Sequence, residues 1–253
     1  MFLPRVIPIL LLKDLGLVKT IQFENPRYIG DPINAVKIFN VKEVNEIAFL
    51  DITATKSHII NYDMIRKISQ ECMTPLTYGG GVTKLDDIGR LFKIGIEKVA
   101  INTAAFNNPR IITDASEAYG SQSVIASIDV KKHAKGSYEV VVGNGSTPTG
   151  ADPVSYARKM ESLGAGEILL TSIDRDGTMT GYDIELIRSV SDAVKVPVIA
   201  SGGAGKLQDL RSAYLNGKAS ALAAGSIFVF FGKKKAVLIT YPDRDELETL
   251  LAQ

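Results

Sequence analysis

Eight short apolar runs recur along the chain, and most are separated by a stretch of helical length and helical periodicity. The runs are VIPILLL (6–12), IAFLDI (47–52), PLTYGG (75–80), KVAIN (98–102), SVIASIDV (123–130), EILLTSI (167–173), PVIASGG (197–203) and ALAAGSI (221–227). Helix-like stretches fall at 32–44, 61–71, 84–94, 108–119, 152–163, 183–194 and 206–216. Continuous apolar strands, as opposed to alternating ones, are the pattern of a parallel sheet covered by helices. Eight such units in 253 residues have the size of one closed (β/α)8 TIM barrel. An open doubly wound sheet would want GxGxxG after its first strand. KDLGLVK stands there instead.

The chain also repeats itself at nearly half its length. YGGGVTKLDDIGRLFKIGIEKVAINTAAF (78–106) aligns with ASGGAGKLQDLRSAYLNGKASALAAGSIF (200–228) at a shift of 122 residues. FLDITA (49–54) meets LLTSID (169–174), and VIPILLLKD (6–14) meets VIASIDVKK (124–132). The expectation is a single domain over 1–253, built from two homologous half-barrels of roughly 1–120 and 121–253.

Composition narrows the function classes. A net charge of +1 gives no global pull toward nucleic acid or a membrane surface. Cys72 is the single cysteine, so no intramolecular disulfide forms. His58 and His133 are the two histidines and lie far apart in sequence, which argues against a zinc site. The apolar start MFLPRVIPILLLKD is broken by Pro4, Arg5 and Pro8 and lacks a basic leader, so it reads as a first strand, not a signal peptide. No apolar run approaches the ~18 residues of a membrane helix. A cytoplasmic protein is expected.

Glycine-rich segments stand at the strand ends, where a barrel keeps its chemistry. GGG (79–81) and SGGAGK (201–206) each follow a strand and precede a helix. Without Cβ atoms, backbone N–H groups can converge, and a helix N-terminus favours an anion. INTAA (101–105) and AAGS (223–226) follow the next strands, with Thr103 and Ser226 as hydroxyl donors, and DRDGT (174–178) adds a further turn. A single GG is as easily an ordinary turn. Two copies at half-chain spacing favour two phosphate sites, one per half.

Several stretches together carry a family resemblance. FENPRYIGDP (23–32), FLDITA (49–54), GGGV (79–82), KVAINTAA (98–105), YGSQ (119–122), GAGEILLTSIDRDGT (164–178), GYD (181–183) and IASGGAGK (199–206) resemble the HisF family. HisF is the cyclase subunit of imidazole glycerol phosphate synthase, and the resemblance covers essentially the whole chain. It implies a HisH-like glutaminase partner docked beneath the barrel, which supplies ammonia through the barrel core. At the top, ammonia would attack a bisphosphorylated ribulosyl nucleotide intermediate, giving imidazole glycerol phosphate and aminoimidazole carboxamide ribotide. No cofactor and no metal are implied.

The family uses two aspartates, one per half, as general acid and base. Asp129 falls on one of these positions and Leu11 on the other; leucine transfers no proton. By the same resemblance Lys13, Asp14, Lys19, Asp51, Gly80, Gly81, Asn102, Thr103, Thr171, Asp176, Gly177, Ser201, Gly202, Gly203, Gly225 and Ser226 belong to the phosphate- and substrate-binding mouth. Arg5, Glu46, Lys98 and Glu167 fall on a charged ring that gates ammonia at the barrel bottom. Taken without the resemblance, these four are ordinary charges at strand starts.

LLLKDLGLVKT (10–20), GDPINAVKIFNVKEV (30–44) and FGKKKAVLITYP (231–242) resemble in particular the WbuZ-type HisF paralogue associated with surface-polysaccharide genes. In that type a sugar amidotransferase uses the ammonia to turn an N-acetyl group into an acetamidino group. Three functions are therefore carried forward. The first is an ammonia-conducting subunit for sugar amidation. The second is a true cyclase in which Asp14 or Asp51 covers for Leu11. The third is a scaffold that only activates a glutaminase. The KKK run (233–235) reads as a solvated charge cluster.

Overall fold

A computed structural model describes residues 3–252; Met1, Phe2 and Gln253 lie outside the described residues. Eight parallel strands close into a barrel: β1 (Arg5–Lys13), β2 (Ile47–Asp51), β3 (Leu76–Gly79), β4 (Lys98–Ile101), β5 (Val124–Lys132), β6 (Glu167–Ser172), β7 (Val198–Ser201) and β8 (Ala221–Ala224). β8 pairs with β1 in parallel, Arg5 opposite Ala221 through Pro8 opposite Ala224, and this pairing closes the ring. All eight strands lie where the apolar runs predict them.

Eight helices surround the barrel: α1 (Pro32–Val41), α2 (Tyr62–Glu71), α3 (Leu85–Lys93), α4 (Arg110–Tyr119), α5 (Pro153–Ser162), α6 (Ile184–Ser191), α7 (Leu207–Leu215) and α8 (Arg244–Leu251). Asp31, Asn61, Asp152, Asp183 and Asp243 cap α1, α2, α5, α6 and α8 through side-chain bonds to backbone N–H groups. The repeated Lys–x–x–Asp of the two long aligned segments has a physical role. Asp87 accepts from the Thr83 and Lys84 N–H groups at the start of α3, and Asp209 accepts from Gly205 and Lys206 at the start of α7. Each aspartate satisfies otherwise unpaired donors directly behind a glycine loop.

Strand alternation stacks the barrel interior in layers. The middle layers are apolar: Ile7, Ile9, Ala48, Ala100, Ile125, Leu169, Ile199, Ala221 and Ala223 form one buried cluster inside the barrel, with Leu11 and Leu50 packed on it. Two residues earlier along their strands stand Arg5, Glu46, Lys98 and Glu167, hence on the same inner face at the bottom. Two residues later stand Leu11, Leu50, Asn102, Ser127, Thr171 and Ser201. The larger cluster between barrel and helices includes Phe39, Phe49, Tyr78 and Phe228.

Beyond the eight predicted helix–strand units the structure adds hairpins that the apolar runs do not announce. β1 and β5 alone run on past the barrel rim. β1 pairs antiparallel with Gly16–Ile21, which pairs with Glu24–Gly30. β5 pairs antiparallel with Tyr138–Val142. A third small hairpin joins Phe230–Phe231 to Ala236–Val237, with Lys233 and Lys234 exposed in its turn. No helix among the described residues is long and apolar enough to cross a membrane.

Candidate functional site

At the C-terminal end of the strands lies one cleft of about 720 Å³. Every residue expected at the mouth lines it: the glycine loops at 80–81 and 202–203, the turn at Asp176–Gly177, the end of β8 at Gly225–Ser226, and Leu11, Lys13, Asp14, Lys19, Asp51, Asn102, Thr103, Asp129, Thr171 and Ser201. The four remaining expected residues, Arg5, Glu46, Lys98 and Glu167, are at the opposite end of the barrel.

The glycines of the cleft are required by geometry. Gly80 has φ +116°, and a Cβ there would lie 2.2 Å from the Asp51 carbonyl oxygen. Gly203 has φ +113°, and its Cβ would lie 2.2 Å from the Gly181 oxygen. Both positions combine a positive φ with a close approach of another backbone segment, the end of β2 at Gly80 and the loop before α6 at Gly203. Gly203→Ala is therefore expected to cost about 2 kcal/mol or more, read as a lowered urea midpoint with an unchanged denaturant slope.

The acids of the cleft differ sharply in environment. Asp129, on the inner face of β5, accepts from Asn102 Nδ2 at 3.2 Å. Burial, and then the neighbouring Asp176 carboxylate, push its pKa up to about 7, against a smaller opposing hydrogen bond from Thr171. Asp176 is raised by burial too, opposed by Lys19 and by Thr20, whose hydroxyl donates to Asp176 Oδ2 at 3.3 Å. Lys19 is 8% exposed; its ammonium donates to the Ile9 carbonyl at 3.0 Å, and burial lowers its pKa against the pull of Asp176. A Lys–Asp–Asp cluster thus spans the cleft floor, between the hairpin of β1 and the ends of β5 and β6.

Asp51 is held from two sides. The Ala54 N–H donates to Oδ1 at 2.8 Å and the Tyr78 hydroxyl to Oδ2 at 3.3 Å. Asp14 is exposed at the rim, where its N–H donates to Thr53 Oγ1 at 2.8 Å. Leu11 is half-buried and packs on the apolar barrel interior, with Leu50 opposite it on β2. The inner face of β1 therefore presents hydrocarbon at the position that the internal repeat matches to Asp129 on β5.

Some residues that line or support the cleft escape sequence reasoning. Tyr78 does not line the cleft; it is fully buried in the outer core, and its hydroxyl holds Asp51 from behind. Asn144 lines the cleft from the loop after the β5 hairpin and donates to the Ile52 carbonyl at 3.1 Å. The Gly143 N–H donates to Thr103 Oγ1 at 3.1 Å. Phe23 enters from the first hairpin. Tyr78 reads as a core aromatic in an apolar run, and the others sit in segments without periodicity, so only the tertiary fold brings them to the site.

At the bottom, the four charges close a ring. Arg5 donates to Glu46 Oε2 at 2.6 Å and to Glu167 Oε1 at 2.8 Å; Lys98 donates to the same two oxygens at 3.2 and 3.1 Å. Thr77 Oγ1 donates to Glu46 Oε1 at 2.7 Å. Glu167 Oε2 is buried and has no hydrogen-bond partner. The ring's ordered geometry and its place under the apolar layers separate it from scattered surface charges. Among the described residues no group of His, Cys, Asp and Glu is arranged to hold a metal ion.

Asp129 gives the site a pH signature. Its carboxyl ionises near pH 4 in the unfolded chain and near 7 when folded. Between those values the folded state binds the extra proton, so this group makes stability fall as pH rises from about 4 to about 7 and is flat beyond. Asp129→Asn removes that slope. Thermal unfolding is expected to show the variant gaining on the parent chain at pH 8 and losing that gain at pH 4.

A (β/α)8 barrel with a mouth of glycine loops, an apolar interior and a charged ring beneath defines the class: a barrel built to serve its strand-end cleft. Comparison with known proteins narrows it. The family profile described as "Histidine biosynthesis protein" matches residues 5–234. "Putative imidazole glycerol phosphate synthase subunit hisF2" of Pseudomonas aeruginosa is 48% identical over 96% of this chain and 98% of its own length. "Putative imidazole glycerol phosphate synthase subunit HisF" of Leptospira borgpetersenii is 46% identical, covering 99% of both. "Imidazole glycerol phosphate synthase subunit HisF" of Alkaliphilus metalliredigens is 45% identical over 90% of this chain and 91% of its own. The chain belongs to the HisF family of imidazole glycerol phosphate synthase subunits.

Proposed function

We propose that this HisF-family subunit takes ammonia from a HisH-like glutaminase docked at the barrel bottom and conducts it through the barrel for use by a sugar amidotransferase in acetamidino-sugar synthesis. The observation that carries the reading is Leu11: the inner face of β1 offers hydrocarbon where an acid–base pair needs a second carboxylate. The conduit parts remain. The Arg5–Glu46–Lys98–Glu167 ring is the gate, and the apolar layers above it suit passage of neutral ammonia, since an unpaired charge pays heavily for desolvation there. Gly80, Gly81, Asn102 and Thr103 form one phosphate site; Gly177, Gly202, Gly203, Gly225 and Ser226 form the other, with Lys19, Asp51, Thr171, Asp176 and Ser201 between them. This places one site in each of two half-barrels, in keeping with the repeated sequence and the paired aspartate caps.

The test is nitrogen transfer in the reconstituted system. Amide-15N-glutamine is supplied to the glutaminase, this chain and the sugar amidotransferase. Label in the acetamidino group that disappears when this chain is left out supports the reading; label independent of the chain rejects it.

A second reading, the cyclase itself, is favoured by one feature. Asp176 is close enough to help raise the pKa of Asp129, so a carboxylate pair exists despite Leu11. It is a better substitute than Asp51, whose two oxygens are already engaged, or Asp14, which is exposed at the rim.

A further inference from the structure

Beside the main cleft lies a second cavity of about 80 Å³, bounded by the first hairpin and by the small hairpin at 230–237. Lys19, Asn25, Arg27, Gly177, Phe230 and Lys235 line it, and no carboxylate side chain does. Lys19, Thr20 and Gly177 line both cavities, so the two share a wall.

Two of the three cations here, Arg27 and Lys235, have no carboxylate partner among the described residues. Arg27 stacks on the Phe230 ring at 5.2 Å. Neither Arg27 nor Lys235 forms an ion pair among the described residues. Lys19, the buried wall between the cavities, faces Asp176 electrostatically. The Lys235 backbone is held in the turn: it has φ +49°, and its N–H donates to the Gly232 carbonyl at 3.0 Å. Its neighbours Lys233 and Lys234 point to solvent exposure, whereas Lys235 is half-buried. Arg27 is exposed and Lys235 half-buried, so water screens their mutual repulsion, and both keep donors available to an anion in the cavity. At ~30 Å³ per water, the space suits a group of a few heavy atoms. Arg and Lys with an amide donor are the donor set for a phosphoryl group.

We propose that this side cavity binds the phosphoryl group of a phosphomonoester whose remainder lies in the main cleft, a subsite separate from the glycine loops. The claim goes beyond the reaction proposed above and does not depend on it. Occupying the cavity ties the hairpin of β1 to the hairpin at 230–237 over the mouth.

The test uses the full chain and two probes, ribose 5-phosphate and inorganic phosphate, read by calorimetry and by backbone amide shifts. The variants are Arg27→Met, which keeps the packing on Phe230, and Lys235→Asn, which suits the left-handed backbone. Thermal unfolding confirms that both remain folded. Each variant is expected to weaken ribose 5-phosphate binding about tenfold, with parent amide shifts at Thr20, Gly177 and Lys235. Ribose 5-phosphate should bind more tightly than inorganic phosphate. Parent-like affinity in both variants, or shifts confined to the two glycine loops, overturns the subsite. Equal affinity for the two probes overturns the placement of the ligand's remainder in the main cleft.

Discussion

Leu11→Asp is expected to turn the chain from a barrel without measurable cyclase activity into one that consumes the bisphosphorylated intermediate in the presence of ammonium. A positioned general acid or base contributes about 10²–10⁴-fold to the step it assists, so the gain should stand clear of background. The substitution is tolerable because Leu11 is half-buried at the cleft wall, where a carboxylate keeps contact with water. Leu11→Asn is the control, matching the shape and polarity without transferring a proton. Ammonium-dependent turnover by the aspartate variant alone means that the rest of the mouth is intact and the loss is local. Equal behaviour of both variants means that the chemistry was lost more widely than at one side chain.

Lys98→Met is expected to produce a far larger loss of stability than removal of a surface charge. Glu46 and Glu167 side chains are 3% and 12% exposed, and Lys98 bridges both. Removing it leaves two buried carboxylates on Arg5, with Glu167 Oε2 already unpaired. Breaking a buried ion pair in this way costs about 3 kcal/mol, which lowers Tm by roughly 6–12 °C in a domain of this size. Arg110→Ala provides the contrast. Its pair with Asp114 is a surface i,i+4 contact with the Arg side chain 82% exposed, and its loss should move Tm by no more than about 2 °C. Equal shifts would mean that the ring is no more than four solvated charges.

The barrel is legible in the sequence because its determinants are local and repeated. Apolar runs of strand length alternate with amphipathic stretches, and the structure sets strands and helices at those places to within a few residues. The inner-face layering follows from period-two alternation alone, which puts Arg5, Glu46, Lys98 and Glu167 beneath Ile7, Ala48, Ala100 and Leu169. The hairpins were not legible. Gly16–Ile21 and Tyr138–Val142 are short strands whose partners are the overhanging ends of β1 and β5, and their pairing depends on that overhang. Glu24–Gly30 is mostly exposed, so no apolar run marks it.

The mouth shows the same division. Glycine loops declare themselves through composition, and Asp129 through its place at a strand end. That Asp129 titrates near 7 depends on burial and on Asp176, which lies on another strand's loop. Tyr78 is the clearest omission. Its sequence setting is that of a core residue and its ring is buried as one, while its hydroxyl supports the cleft residue Asp51 from behind. The side cavity is likewise invisible in sequence, since Arg27 and Lys235 are far apart in the chain and meet only when two hairpins fold over the mouth.

The most direct test of the account is ammonium-dependent turnover of the bisphosphorylated histidine-pathway intermediate by the purified chain, without any glutaminase. Free ammonia bypasses the ring and the partner, so the measurement reports only the chemistry at the mouth. The account predicts no turnover above background from a folded chain that still stimulates a HisH-like glutaminase. Sustained turnover to imidazole glycerol phosphate by the unmodified chain would contradict it and establish a cyclase that works with leucine at position 11.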